Sequence, residues 1–236
     1  MMEQFVRDTA VFGITLSPTQ IDQFAHYQSL LLEWNQRINL TAIREPDEIQ
    51  RRHFLDALSC AKVTGDLNGR SLIDVGTGAG FPGLPLKLLF PALRLTLVES
   101  VTKKARFLEA VVAALELSDV TIIAERVEVL GQDASHRGQY DWAAARAVAE
   151  LRVLLEYLLP LCRLGGHVLA QKGESAAEEA ANAKRALAAL GGSLQPLVPI
   201  QLPRREAVHY LVVVEKTAVT PAQYPRRTGI PAKRPL

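Results

Sequence analysis

A short apolar segment that runs into a glycine-rich loop constrains the fold of this chain more than any other feature of its sequence. Residues 72–75 have the pattern of a buried strand, and the loop 76–83 that follows opens a helical pattern. Strand and helix patterns then alternate, with further strands predicted at 93–99, 120–124, 142–147 and 167–171 and a closing helix at 176–190. This alternation predicts an α/β fold with a mostly parallel, doubly wound, Rossmann-like sheet.

The segments on either side of this alternation predict additions to the sheet. Ser17-Pro18 is typical of a helix start, and apolar residues recur after it at helical spacing, which predicts an N-terminal helical cap over 1–68. Strand patterns at 193–202 and 209–215 are joined without a helix, so they predict an antiparallel hairpin at the sheet edge. The core domain is therefore expected to extend over 69–216.

The last segment, 217–236, contains four prolines and four basic residues and no acidic residue. It is predicted to be an extended, basic, proline-rich tail. A solvated, disordered end is the open alternative.

Composition narrows the class of protein. Apolar residues make up 48% of the chain and charged residues 22%, as in ordinary globular proteins, and the net charge of +2 does not by itself indicate nucleic-acid binding. Cys60 and Cys162 lie far apart outside any metal-type spacing, so neither a metal site nor a disulfide framework is expected. No secretory signal or membrane span is recognised. We expect a cytoplasmic protein, acting as a monomer.

The glycine-rich loop is the predicted ligand site, because glycine leaves room for a ligand near the backbone and the following helix offers free N–H groups. The spacing of its glycines also fits the dinucleotide fingerprint and does not by itself choose the ligand. Asp74 ahead of the loop, and the bulky Phe81-Pro82 pair where a pyrophosphate would need open backbone, favour S-adenosylmethionine. The loop residues predicted to bind this cofactor are Gly76, Thr77, Gly78, Gly80 and Phe81.

Charged residues follow the next three strands, at the edge where open α/β sheets bind ligands. Glu99 is placed to accept hydrogen bonds from ribose hydroxyls, with capping of the next helix or pairing with Lys103 as the alternative. Val127 is predicted to pack on adenine, and Glu128 to accept from its amino group or to flank a backbone contact. Arg146 ends a strand and is expected to point into the site.

The chain resembles the bacterial ribosomal RNA small-subunit methyltransferase G family, also called glucose-inhibited division protein B. The resemblance extends over nearly the whole chain and rests on Trp34-Asn35, Ile38 to Thr41, Arg52 to Asp56, the Asp74 to Gly83 loop, Arg126 to Glu128, Arg146-Ala147, Lys172-Gly173 and His209 to Val213. Ala57 and Ala145 stand where the family often has serine.

The resemblance implies a class I methyltransferase fold and N7-methylation of one guanine in small-subunit ribosomal RNA. It also carries over Gly76, Phe81, Val127, Glu128 and Arg146 as cofactor contacts. Guanine N7 has an in-plane lone pair and no proton, so no general base and no catalytic side chain are predicted. The enzyme would instead align the reacting atoms.

The expected partner is small-subunit RNA, either free or in the 30S subunit. Basic side chains are therefore candidates for contacts with its phosphates. These predicted RNA-binding residues are Arg51, Arg52, His53, Lys172, Arg204 and Arg205. Each could instead be an ordinary surface residue, and His53 could be a buried histidine that pairs with Asp56.

Three other functions stay open at the level of sequence. A methyltransferase of a small molecule or protein would share the loop but would not need arginines on the cap. A nicotinamide-dependent oxidoreductase would use the same glycine spacing. A cofactor-free RNA-binding module is the third.

Overall fold

The computed structural model describes residues 2–236, and its first quarter is helical. The helices of this cap are α1 (Glu3–Thr9), a 3-10 turn (Ala10–Phe12), α2 (Pro18–Asn35), α3 (Pro46–Ile49), a π-helical segment (Gln50–Leu55), α4 (Asp56–Leu58) and α5 (Ala61–Thr64). The predicted helix start is confirmed, because the Ser17 hydroxyl accepts from the Gln20 N–H while the Gln20 side chain accepts from the Ser17 N–H. The π-helical segment was not predicted.

Strands and helices alternate through the middle of the chain. The strands are β1 (Ser71–Val75), β2 (Arg94–Val98), β3 (Val120–Ile123), β4 (Tyr140–Arg146) and β5 (Cys162–Lys172). The helices are α6 (Gly83–Leu89), α7 (Thr102–Ala114), α8 (Val127–Leu130), α9 (Leu151–Leu158), α10 (Ala176–Asn182) and α11 (Lys184–Leu190). The predicted closing helix is thus interrupted at Ala183.

The final strands complete a mixed sheet. They are β6 (Gly192–Leu194), β7 (Val198–Gln201) and β8 (Val208–Lys216), and the sheet order is β3-β2-β1-β4-β5-β8-β6 with β7 also paired to β8. Strands β1 to β5 are parallel, and β8 is antiparallel to β5. The α/β, mostly parallel fold is confirmed. One detail of the hairpin is wrong: its first strand is split near Pro196, which has no N–H to donate to β8.

Apolar side chains pack on both faces of the sheet. Leu72 of β1 points to a core shared with the cap, α6 and α7, whereas its neighbour Ile73 points to a second core beneath α9, α10 and α11. In the first core, the ring centroid of Tyr27 in the cap lies 5.2 Å from that of Phe54 and 5.7 Å from that of Phe81. The contact with Phe81 joins the cap to the loop that follows β1.

The basic tail folds against the body of the protein, which corrects the alternative of a free, solvated end. Tyr224 and Leu236 pack on the second core, and residues Ile230–Lys233 form a short helix, α12. None of the helices formed by residues 2–236 combines the length and the apolar character needed to cross a membrane.

Candidate functional site

The glycine-rich loop joins β1 to α6 at the carboxyl edge of the sheet. Gly76 has a φ of 65°, and a Cβ added to it would lie 2.6 Å from Cγ2 of Val148. A side chain at position 76 would therefore both strain the backbone and meet a neighbour. The loop is also tied to the cap, because the Tyr27 hydroxyl donates to the carbonyl of Ala79.

Asp74 organises this loop from beneath. One of its carboxylate oxygens accepts from the Thr77 hydroxyl at 2.6 Å and from the Gly83 N–H at 2.8 Å. Burial raises the pKa of Asp74 to about 6, although these two hydrogen bonds lower it. Thr77, predicted to bind cofactor, is thus 3% exposed and bonded to Asp74.

Glu99 lies beside the same loop, at the end of β2. It is 6% exposed, and one carboxylate oxygen accepts from the Gly78 N–H at 3.0 Å while the other accepts from the Val101 N–H at 2.8 Å. The contact with Val101 matches the alternative of a carboxylate at the start of the next helix. The contact with Gly78 nevertheless holds Glu99 against the predicted cofactor loop.

A cavity of about 200 Å³ opens at this edge of the sheet. Its lining residues are Val75, Gly76, Val98, Ser100, Glu125, Arg126, Val127, Glu128, Val148, Ala149, Tyr157 and Ala232. Three predicted cofactor residues, Gly76, Val127 and Glu128, meet in its wall. Phe81 and Arg146 do not line it and lie toward the cap.

Arg146 reaches from the end of β4 to the cap. Its guanidinium donates to Asp56 at 3.0 Å and to the carbonyl of Arg52 at 3.3 Å, and it lies 4.8 Å from the centroid of the Phe81 ring. Phe81, predicted as a cofactor contact, is 3% exposed within this arrangement.

His53 completes the contact between cap and loop. Its ring stacks on Phe81 with centroids 4.7 Å apart, its Nδ1 accepts from Arg146 at 3.3 Å, and its Nε2 lies 2.7 Å from the Thr41 hydroxyl. Because arginine only donates, the ring proton lies on Nε2. Burial, followed by the charge of Arg146, lowers the pKa of His53 to about 4, so the ring is neutral near pH 7.

The alternative that His53 pairs with Asp56 is wrong, since His209 at the start of β8 takes that place at 2.8 Å. Burial alone would raise the pKa of Asp56, but the hydrogen bond from His209 and the charge of Arg146 outweigh it and lower the pKa. Gln171 also donates to Asp56, at 3.1 Å. Its Oε1 is buried and has no hydrogen-bond partner among residues 2–236.

The predicted RNA-binding arginines lie near one another where the cap meets the loop between β7 and β8. Arg51 donates to the carbonyl of Arg204 at 3.2 Å and pairs with Glu48, while Arg204 pairs with Asp8 at 2.6 Å. The side chain of Arg52 is 44% exposed and that of Arg204 is 47% exposed.

Lys172 and Arg205 have different surroundings from these exposed arginines. Arg205 is half-buried. Lys172 is 9% exposed, its ammonium lies 2.7 Å from Glu179, and it donates to the carbonyl of Ala149. A phosphate contact for Lys172 does not fit this burial, which corrects that prediction.

Several residues of the site were not predicted from sequence. Val148 and Tyr157 line the cavity, His209 and Gln171 hold Asp56, and Ala232 reaches the cavity from the tail. His209 and Asp56 belong to the motifs that carry the family resemblance, which is the signal that could have identified them. Ala232 has no comparable signal.

Comparison with known proteins identifies the family. Residues 20–208 match the family model of the rRNA small subunit methyltransferase G. The chain belongs to the rRNA small subunit methyltransferase G family. A ribosomal RNA small subunit methyltransferase G of Roseiflexus castenholzii is 53% identical over 235 residues, 100% of both chains. One of Alkaliphilus metalliredigens is 46% identical over 224 residues, 95% of this chain and 94% of that protein.

Solved structures share the fold of this methyltransferase G family member. A variant of the 16S rRNA (adenine(1408)-N(1))-methyltransferase of Catenulisporales acidiphilia, solved with its cosubstrate SAM, superimposes with a TM-score of 0.54 at 17% identity, over 66% of this chain and 88% of that one. A structure of MtNAS in complex with MTA and tNA gives a TM-score of 0.56 at 16% identity, over 80% and 70% of the two chains.

Membership in the methyltransferase G family confirms the predicted resemblance. It also confirms the predicted class of enzyme, an S-adenosylmethionine-dependent methyltransferase of small-subunit ribosomal RNA. The interpretation as a nicotinamide-dependent oxidoreductase is left without support.

Proposed function

We propose that this chain transfers a methyl group from S-adenosylmethionine to N7 of one guanine in small-subunit ribosomal RNA. The observation that carries the proposal is that Gly76, Val127 and Glu128 line one cavity at the carboxyl edge of the sheet, while Glu99 accepts from Gly78 of the same glycine loop. This is the edge at which open α/β sheets bind nucleotide-like ligands.

The residues present fit the cofactor. Gly76 leaves backbone open to the cavity, and the apolar Val98 and Val127 offer a surface for adenine. The buried carboxylates of Glu99 and Glu128 are acceptors for hydroxyl and amino groups. When bound, S-adenosylmethionine supplies an electrophilic methyl group on a sulfonium.

The protein's part in the reaction is alignment rather than proton transfer. Guanine N7 attacks through its lone pair, so the chain needs to hold the base and exclude competing orientations. Arg146, fixed by Asp56 and Phe81, and His53, neutral and stacked on Phe81, form the rigid polar surface beside the glycine loop on which we place the guanine. Asp56 adds a carboxylate close to the positive charge that the methylated base acquires.

Basic side chains near this surface are proposed to hold the RNA backbone. Arg52, Arg204 and Arg205 are the candidates, because they are exposed or half-buried near the junction of the cap and the β7–β8 loop. Arg51 supports this surface through Arg204. Binding to phosphate by such residues weakens as salt rises.

Two further expectations complete the proposal. The cavity and the arginines belong to one chain, so we propose that the monomer is active. We also propose a cytoplasmic location, because the proposed substrate is ribosomal RNA.

The direct test uses S-adenosylmethionine with a labelled methyl group. The purified protein is offered small-subunit ribosomal RNA, assembled 30S subunits, large-subunit RNA as a control, and a protein extract free of RNA. Label in small-subunit RNA or 30S subunits, and not in the controls, is the expected result. Label in the protein fraction alone, or in large-subunit RNA equally, would overturn the proposal.

A further inference from the structure

The C-terminal tail is bound to the body of the protein through its backbone carbonyls. Arg137 donates to the carbonyls of Thr220, Pro221 and Tyr224 at 2.9, 3.1 and 2.6 Å, and Gln132 donates to that of Pro225 at 2.8 Å. These hydrogen bonds to backbone carbonyls hold in place a segment that has little secondary structure of its own. The tail therefore has a defined path.

A buried ion pair continues this path toward the cavity. Glu156 of α9 is fully buried, and both of its oxygens accept from the guanidinium of Arg226, at 2.8 and 2.6 Å. The backbone N–H of Arg226 also donates to Glu156, at 2.9 Å. A bidentate pair of this kind fixes direction as well as position.

Beyond Arg226 the tail reaches the proposed cofactor cavity itself. The Gly229 N–H donates to Oε1 of Glu128 at 2.9 Å, and Ala232 lines the cavity together with residues of β1 and β2. Glu128 is 6% exposed and is the carboxylate proposed above for the adenine amino group. The tail thus holds one oxygen of Glu128 at the wall of the cavity.

We propose that residues 229–233 of the tail are part of the cofactor-binding site: Ala232 forms a wall against the adenosine end of the cofactor, and the Gly229 N–H orients Glu128. This inference rests on the proposed function, since it assumes that the cavity holds S-adenosylmethionine. The basic composition of the tail is not what it contributes at this site. Its contribution is a backbone donor and a small side chain that leaves space for the ligand.

Two variants separate this role from a merely structural one. The first lacks residues 229–236 but keeps the anchors at Tyr224, Pro225 and Arg226. The second is Ala232→Phe, which changes an exposed position and fills the cavity without removing the tail. The matched control is Thr228→Phe, at an exposed position of the tail that lines a neighbouring surface pocket and not this cavity.

The measurement is calorimetric titration of each protein with S-adenosylmethionine, with thermal unfolding as the check on folding. Both variants are expected to bind at least about tenfold more weakly than wild type, and Thr228→Phe within about twofold of it. Binding by Ala232→Phe within about twofold of wild type would overturn the inference. Wild-type protein that binds no S-adenosylmethionine would instead overturn the proposed function, and this inference with it.

Discussion

The Arg146 guanidinium donates to the Asp56 carboxylate at 3.0 Å, which connects the end of β4 to the helical cap 90 residues earlier in the chain. Both side chains are largely withdrawn from solvent, with 17% and 11% exposed. His209 of β8 pairs with the other oxygen of Asp56, so three separate elements of the fold meet at one carboxylate. This junction holds His53 and Phe81 beside the glycine loop.

Removing one partner of this junction should lower the stability of the protein. Arg146→Ala leaves the buried Asp56 carboxylate without its positively charged partner, so we expect the free energy of unfolding to fall by about 3 kcal/mol. Arg163→Ala is the matched control, because Arg163 pairs with Asp141 at 2.9 Å with 46% of its side chain exposed; its cost should stay below about 1 kcal/mol. Urea denaturation measures both, and equal losses would show that the Arg146 junction is no stronger than a surface pair.

His53 should make the protein less stable in mild acid. Its pKa is about 4 in the folded protein, and that of an unfolded histidine is about 6.5, so the unfolded chain binds a proton first as pH falls. The neutral ring stabilises the folded protein fully above about pH 6.5, and this stabilisation is lost as the pH falls from about 6.5 to about 4. Because the ring is partly exposed, we expect the free energy of unfolding to fall by about 2 kcal/mol over this range. His53→Gln should lose this part of the pH dependence.

Wild type and His53→Gln must be compared directly, because another group titrates in the same pH range. Asp74, with a raised pKa of about 6, has the opposite sign: its stabilisation is present in acid and lost as pH rises through about 6. Denaturation curves at pH 7.5, 6 and 5 for wild type and His53→Gln isolate the histidine. Parallel pH profiles for the two would contradict the assignment of a neutral, buried His53.

The hydrogen bond beneath the glycine loop gives a further prediction. Thr77→Val keeps the shape but removes the donor to buried Asp74, which should lower the free energy of unfolding by about 1–2 kcal/mol. The loss should be larger at pH 8 than at pH 5, because the carboxylate is ionised above about pH 6. Thr121→Val, at an exposed position of β3, is the control and should cost little. A loss of the same size in both variants would be the contrary result.

The proposed RNA surface predicts a change in salt dependence. Arg52→Gln and Arg205→Gln should each lower the slope of log affinity against log salt by about 1, since each removes one phosphate contact. Arg185→Gln, on α11 across the sheet from the cap, should leave the slope unchanged. Filter-binding titrations with small-subunit RNA at several salt concentrations measure the slopes. Unchanged slopes for Arg52 and Arg205 would remove them from the RNA surface.

Local patterns in the sequence predicted the elements well, because they depend on neighbouring residues. The helix start at Ser17 and the alternation of β1 to β5 with helices follow from capping and from apolar spacing. The glycine loop was placed correctly for the same reason. Pro196, a visible break in the strand pattern, could have predicted the split between β6 and β7.

Contacts between distant segments were not predictable from such patterns. Nothing local in the sequence pairs His209 with Asp56, or brings Ala232 to the cavity. Lys172 was assigned to RNA from its residue type, but its burial depends on Glu179 and on the turn after β4. The proline-rich, basic composition of the tail predicts an extended segment, with a disordered end as the alternative, whereas Arg137 and Glu156 supply the partners that hold the tail on the protein.

The most direct test of the account is the identity of the methylated nucleoside. Small-subunit RNA labelled by wild type and by Gly78→Asp is digested to nucleosides and separated against standards. Gly78 has a φ of 62° and donates its N–H to Glu99, so an aspartate there strains the loop and places a second carboxylate beside the first. The account predicts label in 7-methylguanosine from the wild type and loss of that label in the folded variant; label in another nucleoside, or undiminished label from Gly78→Asp, would contradict it.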